Sequence, residues 1–177
     1  MGKLKPIEDK ELARQIIENY VTKIQNEYYG LKDEDKRPGW PMELFGVECG
    51  RGWYGIVASL IKYIEEYNSS QPVDKHIVVN QVKEKYGELR FYTNFFNEEL
   101  RELIDEAEGH SWNTCENCGA TKNVGHIYKG WVSVMCADCL AELARQNKDR
   151  TYTWSDRDNV YDVNSENVDD FLKNFQK

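Results

Sequence analysis

The chain has 177 residues, with 23 basic and 31 acidic side chains and a formal net charge of −8. Because 40% of the residues are hydrophobic and 12% aromatic, this length predicts a single domain with a sizeable core. The acidic balance weighs against broad binding to phosphate backbones, and apolar runs such as residues 55–61 are too short to cross a bilayer. The first residues lack the apolar stretch of a signal peptide, so we expect a cytoplasmic protein without membrane contact.

The first half of the chain has the periodicity of two amphipathic helices. Apolar or aromatic residues recur every three to four positions over residues 8–29 and again over residues 53–68. Residues 31–46, which lie between them, combine mixed charges with two prolines. That composition is typical of a loop.

A β-hairpin is predicted after the second helix. Residues 76–82 are rich in β-branched side chains, and residues 89–93 alternate between apolar and polar ones. The charged stretch between them, 83–88, is predicted to form the turn, because it contains a glycine that can adopt positive φ. Asn97 is predicted to cap a third helix that ends near Gly109.

Four of the five cysteines form two CxxC pairs late in the chain. Cys115 and Cys118 make the first pair, Cys136 and Cys139 the second, and 17 residues separate the pairs. Two CxxC pairs separated by about 15–20 residues are typical of a four-thiolate zinc site. Four cysteines complete a tetrahedral shell and leave no position for water or substrate, so we expect a structural Zn²⁺ rather than a catalytic one.

Other interpretations of the cysteine module remain open. An iron–sulfur cluster uses the same four thiolates, whereas a redox CxxC would leave the spacing of the second pair unexplained. His126 lies between the pairs and could replace a cysteine, but we expect it at the surface or beside the ligands. A strand over 131–135 and a fourth helix over 137–147 should flank the second pair. The lone Cys49 is expected to be an inert thiol.

Basic and aromatic residues gather on the predicted hairpin. We predict that four of them contact a ligand: Lys83, Lys85, Arg90 and Tyr92. An arginine beside aromatic rings can bind a phosphate or carboxylate and stack on a base. Alternation places Arg90 and Tyr92 on one face of the strand, opposite Leu89 and Phe91. The alternative is a solvated outer face on which lysines and glutamates pair.

Two tryptophans, Trp53 and Trp131, are further candidates for stacking on a ligand. Trp53 lies in the glycine-rich run CGRGWYG (49–55), which could bind a phosphate before a helix N-terminus but matches neither GxxxxGKS nor GxGxxG. The alternative is a tight start to the helix with Trp53 as a core anchor. The chain has no GxSxG, HExxH or HxE motif, so we expect no enzymatic activity.

Together these features predict an α+β fold. Helices pack on a β-hairpin or small antiparallel sheet, and a four-cysteine zinc knuckle of the ribbon type is inserted. The single domain, 1–177, would contain an N-terminal helix, a helix–hairpin–helix body, a zinc module and an acidic, aromatic tail, at 8–29, 40–110, 112–147 and 151–177. The aromatic residues of the tail suggest that it docks on the rest of the protein.

Four segments occur in a recognisable order: GWYGIVASL, VKEKYGELRFY, AEGHSWNTCENCG and GWVSVMCADC. This arrangement resembles a family of small proteins encoded by bacteriophages and prophages, in which GWF, KEKFG-LRFY and a CxxCG…GW…CxxC zinc element follow one another. The resemblance covers about residues 40–140 and excludes the first helix and the tail. It implies a setting among phage accessory genes, with no catalytic residues to carry over.

In that setting the chain is expected to be a non-enzymatic binding protein that acts in counter-defence. It would sequester a nucleotide signal of host immunity or block a host protein. The alternative is a zinc-containing regulator that binds nucleic acid, with an affinity that falls steeply with salt; the acidic charge weighs against it. A hydrolase or nuclease would need catalytic groups that converge from distant positions. A second copy of the chain could also cover the hairpin, which would make the protein a homo-oligomer.

Overall fold

The computed structural model describes residues 4–32, 41–128 and 132–175. As predicted, the fold is α+β. The chain divides into two compact units. The first unit consists of Met1–Cys49, Tyr54–Glu84 and Leu89–Gly109, and the second of Gly50–Trp53, Lys85–Glu88 and His110–Lys177. That the two units fold together as a single domain remains a prediction.

Two long helices dominate the first unit. Helix α1 spans Lys10–Tyr29, and the Asp9 side chain caps it by accepting hydrogen bonds from two backbone N–H groups of its first turn, each 3.0 Å long. Helix α3 spans Tyr54–Ser69 and is the core helix, because it buries six apolar side chains: Ile56, Val57, Ala58, Leu60, Ile61 and Ile64. Both helices match their predictions within two residues.

The predicted loop over 31–46 is partly regular. Within it, helix α2 spans Pro41–Phe45, and strand β1 (Val47–Glu48) follows. Strand β1 pairs in parallel with strand β2 (Val79–Lys85), with Val47 opposite Val82. Residues 33–40 lie outside the described part of the chain.

The hairpin is confirmed, but its turn is shorter than predicted. Strands β2 and β3 (Glu88–Thr93) are neighbours in a three-stranded sheet of order β1-β2-β3. The turn consists only of Tyr86 and Gly87, with φ of 56° and 79°. Two residues at positive φ are typical of the type I′ turn, whose twist matches that of paired strands. The end of β2 was predicted as turn because it contains lysine and glutamate, which are less common in strands than β-branched residues.

Helix α4 spans Glu98–Trp112 and is longer than predicted. The predicted cap is confirmed, since the Asn97 side-chain oxygen accepts a hydrogen bond of 2.7 Å from the Leu100 N–H. Gly109 does not end the helix. A glycine inside a helix only weakens it, so this residue was a poor stop signal.

The second unit contains a four-stranded antiparallel sheet of order β5-β4-β6-β7. Its strands are β4 (Val124–Ile127), β5 (Ser133–Cys136), β6 (Tyr152–Ser155) and β7 (Val160–Val163). Helices α5 (Ala137–Gln146) and α6 (Val168–Lys173) share one apolar core with this sheet. The strand predicted over 131–135 corresponds to β5, which begins at Ser133. Trp131 lies outside the described residues.

The acidic, aromatic tail is an integral part of the second unit. It supplies two strands and a helix, and the Trp154 ring is fully buried. The Trp154 indole N–H donates a hydrogen bond of 2.8 Å to the Met135 carbonyl, and the ring contacts Phe171 edge to face at 5.5 Å. The prediction that the tail docks rather than remains free is therefore confirmed within this unit.

Candidate metal centre

All four cysteines of the two CxxC pairs meet in the second unit. Their sulfur atoms lie within 4.8 Å of one another, and together they form a group that could hold a metal ion. Cys115 and Cys136 are buried, whereas Cys118 and Cys139 are half-buried. The spacing of the cysteines in the sequence therefore predicts their spatial cluster.

The first pair is held by a tight backbone knuckle after helix α4. The Gly119 N–H donates to the Cys115 carbonyl, and the Cys115 N–H donates to the Ala120 carbonyl, both at 2.8 Å. Gly119 has a φ of 81°, a conformation that glycine adopts without a steric cost. This turn aims the two sulfur atoms of the pair at one point.

The second pair comes from the junction between β5 and α5. Cys136 ends the strand and is the N-cap residue of the helix, and Cys139 lies in the first helical turn. The pairing of β4 with β5 places Val124 opposite Cys136. The Asn117 side-chain amide also donates a hydrogen bond of 3.3 Å to the Cys139 sulfur. Regular secondary structure thus brings the second pair to the first.

The thiols of the cluster shift one another's pKa values. Hydrogen bonding to the Cys136 thiol lowers the pKa of Cys115 to about 4, and the same interaction raises the pKa of Cys136. Burial is the largest cause that raises the pKa of Cys139 to about 11. Neighbouring thiolates repel one another, so without a cation they do not all ionise together. A bound divalent cation would remove this repulsion and release protons.

His126 does not lie at the surface, which was one of the two positions predicted for it. It is only 8% exposed, and its ring lies 3.9 Å, centroid to centroid, from that of Trp112. It does not belong to the cysteine cluster among the described residues. Its Nε2 atom is buried and has no hydrogen-bond partner in the part of the chain that the structure describes. Burial lowers its pKa.

The glycine-rich segment packs on the first cysteine pair. The Gly50 N–H donates to the Glu116 carboxylate at 2.8 Å, and the Gly52 N–H donates to the Glu116 carbonyl at 2.7 Å. These backbone amides, which a phosphate loop would offer to its ligand, are used within the protein. The segment therefore corresponds to the tight start of a helix, the alternative that the sequence left open.

Trp53 has the surroundings of a core anchor. Its side chain is fully buried, and its indole N–H donates to the Thr114 carbonyl at 2.8 Å. A fully buried ring has no open face for a ligand. This burial favours the core-anchor alternative over the predicted stacking role.

The predicted ligand residues of the hairpin fall into different parts of the molecule. Lys83, Arg90 and Tyr92 belong to the first unit, whereas Lys85 belongs to the second, where its ammonium lies 5.5 Å from the centre of the Tyr86 ring. Trp131 is outside the described residues. Among the predicted candidates, only the first three can be considered together as one surface.

Strand β3 alternates as predicted for Arg90 and Tyr92. Leu89 and Phe91 are buried, while Tyr92 is 42% exposed. The Lys83 ammonium lies 5.7 Å from the centre of the Tyr92 ring. The Arg90 guanidinium forms a half-buried ion pair of 3.1 Å with Glu108. This face thus combines two cations, one aromatic ring and one competing carboxylate.

Sequence reasoning missed the contribution of Glu116 to the centre. This residue lies inside the first CxxC motif, where its side chain holds Gly50 and its own N–H donates to the Val134 carbonyl at 2.9 Å. A glutamate between two cysteines has no special meaning by itself. The glycine-rich run was the available signal, because closely spaced glycines allow close approach of another backbone.

Comparison with protein-family models, characterised proteins and solved structures gives no match. The resemblance to phage-encoded proteins therefore stays a prediction. Among the described residues, no helix is long and apolar enough to cross a membrane.

Proposed function

We propose that the chain is a non-enzymatic binding protein whose second unit is stabilised by a structural Zn²⁺. One observation carries the metal assignment: the protein itself supplies four sulfur ligands, all within 4.8 Å of one another. Zn²⁺ prefers this tetrahedral thiolate set, and four protein ligands leave no position for a reacting water. Cys115, Cys118, Cys136 and Cys139 would hold the ion.

Metal analysis of the purified protein tests this assignment directly. We expect about one zinc per chain and a colourless protein. Iron together with visible absorption would instead indicate the iron–sulfur alternative. A Cys49→Ser variant is the matched control, because Cys49 lies outside the cluster; it should retain the metal, whereas Cys139→Ser should lose it.

The proposed binding surface is the hairpin face, defined here as Lys83, Arg90 and Tyr92 of the first unit. Two cations beside an exposed ring suit a ligand that has both an anionic group and a planar base. Nucleotides have this chemistry. In the phage setting that the sequence motifs suggest, the ligand would be a nucleotide signal of host immunity, which the protein would sequester without turnover.

Glu108 provides a sharp test of this proposal. Its carboxylate pairs with Arg90 at 3.1 Å, so an incoming phosphate must compete with it. Glu108→Gln should therefore strengthen nucleotide binding, and Arg90→Ala should weaken it by about tenfold or more, as expected for the loss of a charge-assisted hydrogen bond. Opposite effects from two residues in contact would be hard to explain by a change in folding.

The experiment is calorimetry of the zinc-loaded protein with a panel of cyclic and linear signalling nucleotides. Arg101→Ala is the charge-matched control, since Arg101 is exposed and its guanidinium lies over a different ring, that of Phe96, at 4.5 Å. Binding that survives Arg90→Ala, or that Arg101→Ala weakens equally, contradicts the hairpin face. Salt-sensitive binding of DNA or RNA without nucleotide binding would favour the regulator instead.

A further inference from the structure

We call the segment Gly50–Trp53 the strap. It contacts Thr114 and Glu116, which lie just before and within the first cysteine pair. Three hydrogen bonds join them: Gly50 to the Glu116 carboxylate, Gly52 to the Glu116 carbonyl and the Trp53 indole to the Thr114 carbonyl, at 2.8, 2.7 and 2.8 Å. All of these residues belong to the second unit. The strap is therefore attached to the metal centre itself.

The contact is too close for any side chain at two strap positions. A Cβ at Gly52 would lie 2.1 Å from the Cys115 carbonyl oxygen and 2.6 Å from the Gly119 nitrogen. A Cβ at Gly50 would lie 2.3 Å from the Glu116 carbonyl oxygen. Because these neighbours are backbone atoms of the knuckle, they cannot rotate away. The position of the strap thus depends on the position of the knuckle.

The knuckle in turn depends on the second cysteine pair. Its own backbone bonds, between Cys115, Gly119 and Ala120, shape the turn, and the Glu116 N–H bond to Val134 places it beside β5. The sulfur cluster is a further connection, which joins residues 115 and 118 to residues 136 and 139. A metal at that cluster would convert a set of weak thiol contacts into one rigid junction.

We propose that the strap is a metal-dependent element, which Glu116 clamps in place when the cysteines hold their ion. Glu116 is a positioning residue: it contacts the strap with its carboxylate and carbonyl and lies between two metal ligands in the chain. Loss of the metal loosens the knuckle, which frees the strap. This inference rests on the proposed metal site.

A trypsin site within the strap can report whether the strap is held in place. Arg51 is exposed and is followed by Gly52, so trypsin can cleave between them once the local backbone opens. Cleavage of a locally opened segment follows the population of the open state. The amides of Gly50 and Gly52 are both hydrogen-bonded in the structure, and in the metal-loaded protein we expect cleavage after Arg51 to be slow.

Limited proteolysis followed by mass spectrometry tests the proposal on the full chain. Chelation should accelerate cleavage after Arg51. In Glu116→Gln, which loses the charge of the clamp, we expect cleavage after Arg51 to accelerate by about tenfold while the metal content stays unchanged. Cleavage after Arg145, on helix α5, serves as the internal control and should not change in this variant.

Two results would overturn the proposal. One is equal protection of Arg51 in the loaded and the metal-free protein. The other is a Glu116→Gln protein that keeps its metal and is cleaved after Arg51 no faster than the original chain. Hydrogen exchange of the peptide that covers residues 49–54 supplies a second measurement if a variant folds poorly. Failure of the metal site itself would appear separately, as absence of zinc in the purified protein.

Discussion

The two units of this protein are stabilised in different ways. The first relies on long helices, above all α3, which buries six apolar side chains. The second has strands of four residues and helices of ten and six residues, organised around Trp154 and four clustered cysteines. Short elements bury little apolar area each, and small cores commonly need a metal or disulfide to persist. We infer that the cysteine cluster is the main stabilising element of the second unit, as helix α3 is of the first.

Removing one buried cysteine should have the largest effect. Cys136→Ser takes away one of the four proposed ligands, and we expect the free energy of unfolding of the second unit to fall by about 5 kcal/mol or more, because metal binding and folding are one process in zinc sites of this kind. Hydrogen exchange resolved by peptide would show loss of protection in β4 to α6. Cys49→Ser should show no such loss, since that thiol lies outside the cluster.

The same experiment tests the predicted single domain. If the units are independent, peptides from α1 and α3 keep their protection in Cys136→Ser. If they form one cooperative domain, protection falls throughout the chain. An unchanged second unit would contradict the comparison itself, because its stability would then not depend on the cysteines.

Truncation of the aromatic core should have the next largest effect. Trp154→Ala removes a fully buried ring that contacts Phe171 and donates to a backbone carbonyl. We expect a loss of about 3–5 kcal/mol, as is typical of a large aromatic residue in a core. The counterpart in the first unit is Leu60→Ala, with an expected loss of about 2–5 kcal/mol.

Chemical denaturation measures both variants, in the presence and in the absence of a chelator. Leu60→Ala should lower the free energy of unfolding by the same amount with and without the chelator if the first unit does not need the metal. Trp154→Ala should prevent folding once the metal is removed. Equal behaviour of the two variants after chelation would show that the units do not differ in their need for a metal.

Two glycine substitutions compare a closely packed position of the strap with an uncrowded position of helix α4. Gly52→Ala places a Cβ 2.1 Å from the Cys115 oxygen, whereas nothing lies within 4 Å of a Cβ at Gly109. We expect Gly52→Ala to destabilise the second unit by about 2–4 kcal/mol and Gly109→Ala to stabilise helix α4 by about 0.5–1 kcal/mol. Thermal unfolding with zinc quantification measures both, and a harmless Gly52→Ala would contradict the close packing of the strap.

The sequence predicted those parts of the fold whose information is local. Apolar periodicity indicates α1 and α3, Asn97 marks the start of α4, and CxxC spacing indicates the cysteine cluster. The contact between Gly50 and Glu116 joins residues 66 positions apart; the glycine-rich run signals a close approach of another backbone but does not identify Glu116 as the partner. The tail strands β6 and β7 also escaped prediction, because strands of four residues with polar side chains have little periodicity to detect.

His126 provides the prediction with the smallest expected effect. Burial lowers its pKa below the ordinary value of 6.5, so the unfolded chain takes up a proton before the folded one as the pH falls. The contribution of His126 to the free energy of unfolding is therefore fully present above about pH 6.5, and it is lost as the pH falls toward the pKa of His126 in the folded protein. His126→Phe keeps a ring that can pack against Trp112 but removes the titrating group.

Denaturation of both proteins between pH 7.5 and about pH 5 measures the difference in slope. The two proteins have the same cysteines, so loss of metal in acid affects both and cancels in the comparison. We expect a shallower loss of stability in His126→Phe. Parallel curves would show that the imidazole binds protons equally in the folded and the unfolded state, which would contradict this prediction.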